Sequence, residues 1–282
     1  MTGSSPGAAP AAAPALATES GVEVRAAGIV REIARGGLAG LIATAIVGGV
    51  GGRLVMRVAA LLNPEATGLR TENGEVVGAI TANGTLALIV FGGLLGGLAV
   101  GVVWVVVSPW LPGRGWRRWL LAMPVAVALG GSFLVRSSNP DFAILEPDWL
   151  LIALLLGLVA VIGFAVAWLD ERLDRALPDA GGSASRALAA YVIVAMLGLL
   201  TIGVVIDAYF SSAGSPNPPV LVGWALVATG IVTVATWAAR LRSDAPAPPP
   251  VARVAGRIGV VVAVVLGVAQ LVPTVARLLP AD

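Results

Sequence analysis

The chain has no cysteine, no histidine and no lysine; all 18 of its basic residues are arginine. Without cysteine there is no disulfide, no thiolate metal site and no thiol nucleophile. Without histidine the commonest general base, metal ligand and haem ligand are gone. Without lysine no Schiff base can form, which excludes retinal and pyridoxal attachment. No cofactor and no metal site is expected from what remains. Charge of either sign is scarce: 12% of residues are charged, against about a quarter in a soluble domain. The isoelectric point near 9.9 accompanies a net charge of only +2, because arginine stays protonated far up the pH scale. No run of five basic residues exists, so nucleic acid is not an expected partner.

What is abundant is apolar. Hydrophobic residues make up 57% of the chain and the mean hydropathy is +0.92. The 36 glycines lack the three-residue period of collagen. Crossing ~30 Å of hydrocarbon takes about 20 helical residues. Seven segments meet that length: Gly37–Leu62, Thr85–Val107, Trp119–Val135, Trp149–Leu169, Ala187–Ile206, Val220–Ala239 and Ile258–Leu278. The third is the shortest and carries Pro124. The runs are continuous rather than alternating, and lipid cannot satisfy open backbone groups, so helices are expected. The fold class is therefore an all-α integral membrane protein, a polytopic bundle of about seven transmembrane helices.

Arginine placement sets the orientation. One set of ends holds Arg25, Arg31, Arg35, Arg114, Arg117, Arg118, Arg172, Arg175, Arg186, Arg240, Arg242, Arg253 and Arg257. The other holds only Arg70, Arg136 and Arg277. The N-terminus is expected in the cytoplasm and the C-terminus outside. Trp110, Trp116, Trp119, Trp168 and Trp237 fall at the inner boundary, with Trp104 just above it, and Trp149 and Trp224 at the outer one, as interfacial belts do. The alanine- and arginine-rich, lysine-free style reads as bacterial, which places the chain in the plasma (inner) membrane as a multi-pass protein.

Residues 1–27, rich in Ala, Pro, Gly and Ser, read as a disordered cytoplasmic tail without the basic start and apolar core of a signal peptide. Residues 28–282 then form one transmembrane domain. Val24–Arg35 has the residues of a short amphipathic surface helix. The outer loop Asn63–Gly84 contains Glu72, Asn73, Gly74 and Glu75, and Asn-Gly between short extended stretches is a hairpin signal. The inner loop Ser243–Gly256 is a proline-rich, semi-rigid linker.

Three features bear on function. Glycines at i, i+4 (Gly48 and Gly52, Gly92 and Gly96, Gly93 and Gly97, Gly97 and Gly101) predict close packing between spans 1 and 2, or contact with a membrane partner or second protomer. Arg53 and Arg57 lie one turn apart near the outer end of span 1, where the same outer ends carry Arg136, Asn139, Asp141, Glu146 and Asp207. These seven residues form the candidate binding or ion-pair cluster, with Asp207 expected partly buried because it follows an apolar run. The middle of the membrane offers no carboxylate, only Ser132, Thr201, Thr229, Thr233 and Gln270, which read as interhelical hydrogen-bonding groups. The run Asp170–Arg175 reads as a helix end continuing into water.

No catalytic constellation emerges. The expected function is non-enzymatic: a membrane protein whose outward-facing arginine cluster binds a partner protein, a lipid headgroup or a small anion. A small-solute facilitator or channel is the alternative, and a membrane enzyme acting on a lipid-linked substrate the second.

Overall fold

The computed structural model describes residues 13–66, 68–69, 76, 84, 86, 88–136, 149–179, 185–211, 218–243 and 248–279. Among the described residues every regular element is helical. The first helix, α1 (Ala13–Ala43), passes through a π-helical stretch, Thr44–Gly48, into α2 (Gly49–Leu62). A second π-helical stretch, Leu88–Gly96, leads into α3 (Gly97–Val107). The remaining helices are α4 (Trp116–Leu134), α5 (Trp149–Ala176), α6 (Ser185–Phe210), α7 (Val220–Arg242) and α8 (Pro250–Leu278).

Six helical rods are long and apolar enough to cross a membrane. The third expected span is present as α4, 19 residues long with Pro124 inside it, and is not one of the six. Its first turn carries Arg117 and Arg118. The turn that launches it needs glycine at Gly113 and Gly115, whose φ values are +89° and +60°, a region side chains with a Cβ rarely enter. At the other extreme, α8 begins on Pro250 at a first-turn position, where the missing N–H costs nothing.

Residues 13–27 of the tail expected from composition belong to α1. The hairpin residues Glu72, Asn73 and Glu75 lie outside the described residues.

One close helix contact is between α1 and α3, and it is built from glycine on both sides. A Cβ on Gly97 would sit 2.8 Å from Leu41 Cα, one on Gly101 2.7 Å from Gly37 Cα, and one on Gly40 2.6 Å from the Gly97 carbonyl. These are backbone atoms, which cannot swing aside. Gly93, Gly97 and Gly101 pack as expected against span 1, but their partners are Gly36, Gly37, Gly40 and Ala45, not Gly48 and Gly52. Gly48 instead faces its own helix at Thr44 and, at 3.6 Å, Ile162 of α5. In lipid, where apolar burial gives no drive toward association, such backbone proximity supplies the dispersion contact that holds helices together.

Elsewhere α4 packs along α5, α8 along α7 and α4, and α6 against α1 and α3. Of the hydroxyls midway along the apolar helices, Thr233 does bridge: it accepts from Trp110 Nε1 at 3.0 Å, while its own proton is shared between Thr229 O of its helix at 3.0 Å and Val106 O at 3.2 Å. Thr201 and Thr229 bond within their own helices, to Gly198 O and Ala225 O. Trp104 and Trp110 are buried in the bundle, at 7% and 3% exposure, whereas Trp116, Trp149 and Trp224 are exposed near helix ends.

Gly40→Ala should lower stability by about 1–3 kcal/mol, the usual range for overpacking. Gly157→Ala, where a Cβ meets nothing within 4 Å, should be neutral or stabilise slightly through helix propensity. Thermal unfolding of both variants in one detergent checks the contrast; equal midpoints would show that the α1–α3 contact is not tight.

Candidate functional site

The arginine-rich end carries the densest polar structure. On α1, Arg31 and Arg35 are four residues apart and share a face; on α5, so do Asp170 and Asp174. The two faces meet. Arg35 Nε donates to Asp170 Oδ1 at 2.8 Å and its Nη1 reaches Asp174 Oδ1. Arg31 Nη1 donates to Asp174 Oδ1 at 2.9 Å. The rest of the Arg31 guanidinium caps the end of α5, with Nη2 donating to Asp174 O and Leu177 O and Nε to Pro178 O. Helix C-terminal carbonyls lack intrahelical donors and carry partial negative charge, so a guanidinium there is doubly favourable.

A third cation approaches from α4. Arg118 Nη2 lies 3.4 Å from Asp170 Oδ2, an ion pair without hydrogen-bond geometry. The same nitrogen donates to Ser108 O at 3.1 Å, and the guanidinium stacks 5.3 Å over the Trp104 ring. Beside it, Gly115 N–H donates to Glu171 Oε1 at 2.9 Å. Glu32 of α1 pairs with Arg240 of α7 at 2.9 Å. The Asp170–Arg175 run is therefore not a plain solvated face: Asp170 is 2% exposed. It is buried because its helix face turns inward onto the arginines of α1 and α4.

The opposite end carries Arg53, Arg57 and Arg136. Arg53 and Arg136 are partly buried, and the Nε of each is fully buried with no hydrogen-bond acceptor among the described residues, as are those of Arg25 and Arg118 at the arginine-rich end. Arg57 is exposed. Asp207 is exposed too, not partly buried as expected, and makes no ion pair among the described residues. It lies on α6, which packs on α1 and α3, whereas α2 with Arg53 and Arg57 packs on α5. Asn139, Asp141 and Glu146 lie outside the described residues.

Between these ends lies a cavity of about 360 Å³. It is bounded by Val100, Val103 and Val107 of α3, Ala122, Val125, Ala126, Leu129 and Phe133 of α4, Val159, Ile162 and Val166 of α5, and Val204, Val205 and Ala208 of α6. Towards the outer-arginine end Tyr209 leans across it, its hydroxyl donating to Leu129 O at 3.0 Å and its ring meeting Phe133 edge-on at 5.0 Å. At the other end lies Trp104, beneath Arg118. No charged residue lines it. Thr44 Oγ1 and Trp104 Nε1 are themselves fully buried, so the walls present carbon.

No known family matches the chain, and neither a curated protein nor a solved structure matches it.

Asp170→Asn should cost about 3 kcal/mol, because it removes the buried charge that Arg35 and Arg118 share. Asp174→Asn, at a side chain 50% exposed, should cost about 1 kcal/mol or less. Unfolding of the two variants side by side reads the difference; an Asp170→Asn protein as stable as wild type would mean that the buried pair contributes nothing.

Proposed function

We propose that this protein is a non-enzymatic, multi-pass plasma-membrane protein of seven spans, with its N-terminus in the cytoplasm, that binds a phosphate-bearing lipid headgroup at its outer face. The observation that carries the reading is that Arg53 and Arg136 each hold a buried Nε lacking an acceptor among the described residues. A buried donor without a partner is costly, and a guanidinium recognises phosphate with several donors at once. A phosphate ester at the outer interface supplies the missing acceptors. Arg57, one turn beyond Arg53, adds charge to the same region.

The apolar lining of the central cavity speaks against the facilitator reading, since a solute route needs polar groups to replace water of hydration. The 13-to-3 division of arginines between the two sets of helix ends supports the orientation.

Two measurements test this. Because the chain has no native cysteine, single replacements report without background: Asn73→Cys and Asp141→Cys should react with an impermeant maleimide from outside intact cells, Arg114→Cys and Ala245→Cys should not. Labelling of position 114 from outside would overturn the orientation. For the ligand, the thermal midpoint in phosphatidylcholine nanodiscs should rise by several degrees when phosphatidylglycerol replaces part of the lipid, and Arg53→Gln with Arg136→Gln should abolish the rise. Inorganic phosphate giving the same rise would assign the site to a free anion. An unchanged midpoint with both would contradict the proposal.

A further inference from the structure

We propose that the central cavity is a built site for one hydrocarbon chain of a bilayer lipid. The inference is independent of the outer arginines and holds whether or not they bind a headgroup.

Shape comes first. On α4 the lining runs from Ala122 to Leu134, a length of ~18 Å at 1.5 Å per residue. Spread over that length, a volume of about 360 Å³ makes an elongated slot that admits an alkyl chain. With C–C bonds of about 1.5 Å advancing roughly 1.25 Å per carbon, such a slot takes about fourteen carbons. The size also falls within the roughly 300–1,000 Å³ of ligand cavities in general.

Chemistry narrows the occupant. The walls are carbon, and the nearby hydroxyl of Tyr209 already donates to Leu129 O. Water in the slot would find no set of partners. A ligand carrying a polar group inside it would leave that group unsatisfied. What fits is methylene, with the polar end of the lipid outside the slot. The six helices apolar enough to cross a membrane place such chains around the bundle as the solvent itself.

The slot is also kept open by residue choice rather than by loose packing. At the α1–α3 contact, a Cβ on glycine would strike backbone. Along the slot Gly163 packs tightly on α4, where a Cβ would meet Ala126 Cβ at 2.5 Å, but two other glycines meet almost nothing: a Cβ at Gly96 finds no atom within 4 Å, and one at Gly130 only Val159 Cγ1 at 3.5 Å. These glycines do not bring helices together. Their missing side chains are space.

The test uses full-length protein in nanodiscs containing a phospholipid with a diazirine midway along one acyl chain, followed by peptide mapping after photolysis. Labels are expected on the lipid-facing Leu199, Leu200 and Ile231, which are 57%, 75% and 65% exposed, and also on the interior Val103, Leu129 and Val205. Gly96→Leu and, separately, Gly130→Leu should fill the slot and remove the interior labels while the lipid-facing labels persist. The persisting labels report that each variant is folded in the membrane. Interior residues unlabelled in the wild type, or labelled equally in wild type and both filled variants, would overturn the proposal.

Discussion

The carboxylate of Asp170 is the group on which the geometry of the arginine-rich end depends. A carboxylate 2% exposed is tolerable only with its charge compensated, and the compensation comes from two other helices: Arg35 of α1 and Arg118 of α4. That requirement fixes three helices relative to one another at a single depth. Arg31 extends the arrangement by capping the end of α5, so the angle at which α5 leaves the bundle is set as well. Arg118 in turn lies over the indole of Trp104, and Trp104 bounds the apolar slot above. The charged layer thus ends where the carbon-walled interior begins, with one aromatic ring between them.

Small residues do two opposite things in this bundle. Gly36, Gly37 and Gly40 against Gly93, Gly97 and Gly101 remove side chains so that backbones can touch, which joins α1 to α3 without help from water. Gly96 and Gly130 remove side chains where no backbone arrives. The same residue type therefore serves adhesion in one place and vacancy in another, and only the distance to the nearest neighbour tells them apart. Tight adhesion on one side of α3 and a slot on its other side are compatible because α1 supports it there, while Tyr209 reaches α4 across the gap.

The helical segments were legible in the chain because lipid imposes a length and a composition that no other environment does. Half of the glycine contact was legible for a similar reason: Gly93, Gly97 and Gly101 carry their spacing openly. Their partners were not, since spacing says which face is smooth but not which other smooth face meets it. The Asp170 lattice was missed for the same reason. Yet a signal existed: Arg31 and Arg35 at i, i+4 complement Asp170 and Asp174 at i, i+4, and matched pairs on two helices that run to the same side of a membrane form one interface. Charge at a helix end was read as solvation when the pattern was paired. The slot had no signal in the chain at all, because Gly96 and Gly130 look like every other glycine until the helices are assembled. Asp207 shows the converse error: following an apolar run places a residue at a depth, not on a face, and its face is exposed.

The central claim is that the apolar slot, bounded by Trp104 next to the Asp170 ion pairs, takes a lipid chain. A crystal structure determined from a lipidic phase tests it most directly. Continuous tubular density for one chain is expected between α3 and α4, ending above the Trp104 indole, with the Asp170 carboxylate within hydrogen-bonding distance of Arg35. Helices α3 and α4 packed in direct contact with no slot between them, or Asp170 turned to solvent away from both arginines, would contradict it.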